Sequence, residues 1–146
     1  MTQQGKQYMY NNDALAEYNQ VGTYASAAYA DPHQLIMMLY DGAINRLAKA
    51  GFAHEHGSVP EVNKLIADVI SIIEGLRECL DQKQGGDLAA NLDDLYSYMV
   101  TRLLRAHRQD GVDKAFTEVT GLLQELREAW SSIPVAERNK SNAKTG

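Results

Sequence analysis

Cysteine is almost missing. Cys79 is the only one among 146 residues, so the chain cannot close a disulfide on itself, and one thiolate cannot build a structural zinc site. Proline occurs three times, at Pro32, Pro60 and Pro134. Each stands at the edge of an apolar-periodic segment, where it does not break a helix interior. No run of about eighteen apolar residues exists, so no membrane-spanning helix is expected. Residues 1–12 are polar and tyrosine-rich, without the apolar core or cleavage site of a signal peptide. Basic residues are in deficit, with 14 Lys and Arg against 19 Asp and Glu and a net charge of −5. Phosphate contacts need clustered cations, so a nucleic-acid partner is not expected, and an anionic membrane surface is disfavoured. A cytoplasmic, cytosolic protein with no membrane insertion is the expectation.

Recognisable chemistry is also scarce. His54 and His56 are two apart and point to different sides of a helix, and the HExxH arrangement is missing. Gly85-Gly86 lacks the spacing and the lysine of a phosphate loop. No GxSxG elbow occurs, and the Glu-x-x-His pairs of a di-iron bundle are missing. Asp93-Asp94 reads as a solvated helix face. Cys79 continues an apolar helical pattern beside Leu76 and Leu80 and reads as a small buried hydrophobe. The expectation is a protein that binds without catalysing, with no metal and no cofactor.

What the chain does contain is helical periodicity. Asp31-Pro32-His33-Gln34 predicts a helix start, with Asp31 as N-cap, Pro32 at N1 and Gln34 at the N3 place of a capping box. Leu35, Ile36, Leu39, Tyr40, Ala43, Leu47 and Ala50 follow at steps of three and four, the period of one helix face. A second helix is expected from Ser58-Val59-Pro60, striped by Val62, Leu65, Ile66, Val69, Ile70, Ile73, Leu76 and Leu80, with Gly85-Gly86 as its stop. A third is expected from about Asp87, striped by Leu88, Leu92, Leu95, Tyr96, Met99, Leu103 and Ala106. Arg102, Arg105, His107 and Arg108 gather at its C-terminal end, where cations meet the negative end of the dipole. After Asp110-Gly111 comes the cleanest stripe: Val112, Phe116, Val119, Leu123, Leu126 and Trp130. Four helices of about 20–24 residues, about 30–36 Å long, joined by short connections, predict an all-α antiparallel up-down-up-down four-helix bundle. The bundle is expected over residues 32–133, after an N-terminal tyrosine-rich arm (1–31) and before a polar, flexible tail (134–146).

The apolar surface exceeds what one core stripe per helix needs. Met37 and Ile44 lie beyond the main arc of the first helix. Val100, Leu104 and Tyr98 flank that of the third, and Leu122 and Ala129 widen that of the fourth. The bland reading is a generous core with ordinary exposed apolar residues. The sharper reading is a groove for an amphipathic partner helix, with Met37, Tyr40, Ile44, Tyr96, Val100, Leu104 and Leu122 as candidates. The arm carries Tyr8, Tyr10, Tyr18, Tyr24 and Tyr29, five of the eight tyrosines. So many aromatics argue for docking on the bundle, as a fixed structural arm or as a movable plug.

Three blocks of sequence resemble one family. Residues 30–43 (ADPHQLIMMLYDGA), residues 80–92 (LDQKQGGDLAANL) running into residues 95–104 (LYSYMVTRLL), and residues 122–130 (LLQELREAW) resemble the flagellin-specific export chaperones, the FliS family. Their order and spacing match along about residues 14–133. Asp31 stands where the family usually has serine, and the leader of residues 1–13 is longer than is common. The resemblance implies a partner: the C-terminal segment of flagellin, disordered in the monomer, which folds into short helices around the chaperone and is kept from premature polymerisation. It also implies delivery to the cytoplasmic domain of FlhA, at the export gate of the flagellar type III apparatus. Leu15 and Tyr18, with Val21 beside them, match the arm positions linked to gate docking. The alternative is a self-associating helical adaptor or structural bundle unrelated to secretion, and a weak homodimer is compatible with either reading.

Overall fold

The computed structural model describes residues 32–106 and 111–133. The arm with its Asp31 cap, residues 107–110 and the tail lie outside the described residues. Four helices make up the rest: α1 (Pro32–Glu55), α2 (Val59–Glu78), α3 (Gln82–Ala106) and α4 (Val112–Ser131). Each packs against its neighbours in the chain, and α4 closes back on α1. Arg77 of α2 reaches Asp93 of α3, Arg102 of α3 reaches Glu118 of α4, and Arg127 of α4 reaches Asp41 of α1. Each of these pairs joins the later part of one helix to the earlier part of the next, which makes those three pairs antiparallel, and the short turn between the closely packed α1 and α2 does the same for them. The fold is the expected up-down-up-down bundle.

The α1 stripe is buried from end to end: Leu35, Ile36, Leu39, Tyr40, Ala43, Leu47 and Ala50 are all inside. The small side chains of Ala43 and Ala50 let neighbouring helices approach, and α1 packs most extensively on α2. From α2 the core takes Val62, Leu65, Ile66, Val69, Ile72, Ile73 and Leu76. From α4 it takes Ala115, Phe116, Val119, Leu123 and Trp130. Ile72 replaces the expected Ile70, which is half-buried at the rim of the core.

The turn from α1 to α2 follows from its residues. Gly57 has φ +71°, its N–H donates to the His54 carbonyl, and the Ser58 N–H donates to the Ala53 carbonyl. This is a Schellman stop, with glycine at the left-handed position. Ser58 then serves as the N-cap of α2 through its backbone, without a side-chain cap bond. Pro60 falls in the first turn, where its missing N–H leaves no bond unmade.

The α2–α3 connection departs from expectation. The second helix ends at Glu78 instead of running on to Gly85-Gly86. Asp81 begins a new turn: its Oδ1 accepts the Gln84 N–H at 3.0 Å, and its carbonyl accepts the Gly85 N–H at 2.7 Å. Leu80 stays in the core but outside the helix. The third helix therefore starts ahead of Asp87, and the glycine signal marks a break within it. Gly86, at φ +53° and ψ −130°, takes a conformation open essentially to glycine alone. After this break Ala89, not Leu88, points into the core, followed by Leu92, Tyr96, Met99, Leu103 and Ala106. Leu88 is exposed.

Gly57→Ala should lower the free energy of unfolding by about 1–2 kcal/mol, the cost of a Cβ in the left-handed region. Urea unfolding followed by circular dichroism should give a lower midpoint with an unchanged slope.

Candidate protein-binding surface

The structure brings Tyr40 and Tyr96 together, but inside the bundle. They are 1% and 0% exposed, and their hydroxyls are hydrogen-bonded at 2.6 Å, linking α1 to α3 across the core. The other groove candidates sit at the edges. Met37, Ile44, Val100 and Leu122 are half-buried against the core, and Leu104 is 53% exposed. They do not share one groove. Ile44 lies between α1 and α4 with Asp41, Gln124 and Arg127, and Met37, seven residues before it, is on the same side of α1. Val100 and Leu104 follow Asp93 by seven and eleven positions, on the side of α3 that meets α2. Leu122 follows Glu118 by four, on the side of α4 that meets α3. Leu15, Tyr18 and Val21 lie outside the described residues.

Among the described residues, an apolar concavity lies elsewhere. A cleft of about 120 Å³ is lined by Tyr40, Leu88, Leu92, Leu126, Ala129, Trp130 and Ile133. It lies between the first half of α3 and the C-terminal end of α4, with α1 behind. Of its residues, only Tyr40 belongs to the groove set read from the sequence. The break at Gly86 turns Leu88 out of the core, and Ile133 lies beyond the end of α4, so neither belongs to a simple helical stripe. The surplus of Ala129 on the wheel of α4 was the one signal that pointed here.

One wall of this cleft is braced by a clasp. The Trp130 indole N–H donates to the His33 carbonyl at 3.0 Å. His33 Nε2 lies 2.7 Å from the Trp130 carbonyl. A carbonyl oxygen only accepts, so Nε2 carries the proton. The two rings stack with centroids 4.8 Å apart and 13° between planes.

Polar clamps cross three seams. Arg127 donates to Asp41 between α4 and α1. Arg77 Nε donates to Asp93 at 2.5 Å between α2 and α3. Between α3 and α4, Glu118 accepts from the Tyr98 hydroxyl at 2.6 Å and from Arg102 Nε at 2.8 Å. The Tyr98 bond, with Arg102 beside it, holds the Glu118 carboxyl below its usual range, and Glu118 in turn raises the Tyr98 phenol. Arg102 of the basic group is thus paired with Glu118. Arg105 is exposed, and His107 and Arg108 lie outside the described residues. Burial pushes the Cys79 thiol up to about 12, helped by Glu78. It stays protonated near neutrality, the opposite of a reactive thiolate. Among the described residues no group of three metal-ligating side chains converges, and no helix is long and apolar enough to cross a membrane.

Comparison with known proteins adds a family. A model of the flagellar protein FliS matches residues 14–137. The chain is 43% identical over 125 residues to the flagellar secretion chaperone FliSB of Pseudomonas aeruginosa, covering 86% of this chain and 98% of that protein. It is 41% identical over 126 residues to the flagellar secretion chaperone FliS of Salmonella typhimurium, covering 86% and 93%. It is 34% identical over 134 residues to the flagellar secretion chaperone FliS of Vibrio cholerae, covering 91% and 97%.

The Glu118 clamp predicts a pH dependence. Its carboxyl is depressed in the folded state, so its contribution is complete above the unfolded value of about 4.3 and is lost as pH falls through the lower folded value. Glu118→Gln should therefore be less stable than wild type at neutral pH. The gap should close in strong acid, as read by urea midpoints at both pH values.

Proposed function

The chain belongs to the FliS family of flagellar secretion chaperones, and from that premise we propose that its client is flagellin. In this reading it binds the disordered C-terminal segment of flagellin in the cytoplasm. It prevents premature polymerisation and delivers the client to the FlhA cytoplasmic domain of the type III export gate. The observation that carries the reading is agreement with named flagellar secretion chaperones through nearly their whole length, 98% of one at 43% identity.

The surface supports it physically. A client segment that folds as it binds loses conformational entropy and needs a broad, preformed apolar face. The bundle offers the cleft around Leu88, Leu92 and Trp130 and, on its separate seams, the half-buried Met37, Ile44, Val100 and Leu122 and the exposed Leu104. Dispersed contacts suit a client that must later be released and threaded out. Tyr40 and Tyr96 would act from within, by setting the floor beneath that surface. Binding of this kind needs no covalent chemistry and no cofactor. Leu15, Tyr18 and Val21 are assigned to gate docking, on an arm that acts as a movable cover of the client surface.

Calorimetry with full-length flagellin, and with flagellin lacking its C-terminal segment, tests the client. Binding to the first alone is expected; equal binding to both, or to neither, would reject it. Replacing Leu15 and Tyr18 together by alanine should leave flagellin affinity within about twofold. It should weaken docking on the FlhA cytoplasmic domain by about tenfold, near 1.4 kcal/mol. A large loss of flagellin affinity would refute that division of labour.

A further inference from the structure

Spacing by sevens carries Leu88, Leu95 and Arg102 along one side of α3. Both ends of that row meet α4: Leu88 lines the cleft with Leu126 and Ala129, and Arg102 pairs with Glu118. Leu95 therefore lies between them on the same side. On α4 the matching row is Glu118, Leu122 and Ala129, at steps of four and seven. Leu95 and Leu122 are half-buried against the core. The apolar surface thus runs on past Leu92 and Leu126, over Leu95 and Leu122, until Glu118 bridges the two helices by accepting from the Tyr98 hydroxyl and from Arg102. From Leu88 to Tyr98 this track is about 15 Å long, the length of about ten helical residues. Its walls α3 and α4 pack less extensively on each other than α1 does on either of its neighbours. The other seams differ. Ile44 lies among Asp41, Gln124, Arg127 and Glu128 between α1 and α4. Between α2 and α3, the Arg77–Asp93 pair stands between Val100 and the end of the bundle at which α3 begins.

We propose that the helical part of the client lies in this α3–α4 track, against Leu88, Leu95, Leu122 and Leu126, with the Tyr98–Glu118–Arg102 clamp as its end stop. This rests on the client reading above and narrows it to one seam. The occupant is a helix because the walls are helices. Their N–H and C=O groups are paired internally and leave nothing for an extended chain, whereas a helix satisfies its own. Its apolar residues recur at three and four over about three turns, which matches both rows. Its flanks are free of acidic residues. Asp87, eleven before Tyr98, and Glu125, seven after Glu118, stand exposed at the two edges of the track, and like charges there would repel.

The test places a lysine on each seam of the full-length protein: Leu95→Lys and Leu122→Lys in the track, Ile44→Lys and Val100→Lys on the other two. All four side chains are half-buried against the core, so a general loss of stability affects both sets. Circular dichroism checks that each variant is helical, and calorimetry reads its binding to full-length flagellin. Each track variant is expected to bind about tenfold more weakly or worse, and each of the others within about threefold of wild type. Equal losses on all three seams, or affinity near wild type in the track variants, would overturn the proposal. Loss of self-association in place of client binding, read by light scattering, would also overturn it and assign the track to a second copy. Should the track variants fail to fold, the milder Leu95→Ala with Leu122→Ala decides: a loss of about threefold or more supports the proposal, and wild-type affinity overturns it. No binding by the wild-type protein would remove the client reading itself and this proposal with it, whereas wild-type binding with an insensitive track removes the proposal alone.

Discussion

The apolar face of α1 is the surface on which the remaining helices are arranged. Leu35, Ile36, Leu39, Tyr40 and Leu47 are all buried along it, and both α2 and α4 pack against it. Each fully buried side chain of this size contributes about 1.5–3 kcal/mol. An exposed ion pair contributes about 0–1 kcal/mol. The stripes therefore decide that a bundle forms, and clamps such as Arg127 with Asp41 or Arg102 with Glu118 act on orientation and register. The Tyr40–Tyr96 hydroxyl bridge adds a directional link between α1 and α3 through the core.

The third helix is held differently. It starts with a turn capped by Asp81, breaks at Gly86 and only then runs straight. It meets α2 and α4 less extensively than α1 does. Leu88 leaves the core at the break, and the apolar cleft opens beside it. The irregularity that interrupts the bundle thus also supplies the part of its surface best suited to an apolar partner. At the other end of the cleft, the His33–Trp130 clasp joins the first turn of α1 to the last of α4. Among the described residues, an apolar edge of this kind is a surface that a chaperone can offer to a client.

Much of this was legible in the residues. The α1 stripe is legible because seven apolar side chains fall on one face, and all seven are buried. The fourth stripe was equally clear from Phe116 to Trp130. The apolar spacing overshoots the second helix, because Leu80 continues it past the end at Glu78. The deciding event was the side-chain cap by Asp81, a local bond that periodicity does not reveal. The pattern places Leu88 in the core, since a leucine outranks its neighbour Ala89 as an apolar marker. The break at Gly86 reversed their places. Sequence alone does not separate groove from core for Tyr40 and Tyr96, because tyrosine is equally at home at a surface and in a core with a partner for its hydroxyl. The cleft was least legible, since it is assembled from Leu88, Ala129 and Ile133, which share no helical face. The arm residues Leu15, Tyr18 and Val21 lie outside the described residues, and their role rests on resemblance.

If the bundle sequesters the segment that flagellin needs for assembly, then it should stop assembly stoichiometrically. Light scattering of flagellin polymerising on filament seeds, with increasing amounts of this protein, measures that directly. Suppression should be complete near one protein per flagellin. Polymerisation at an unchanged rate in the presence of excess protein would contradict it.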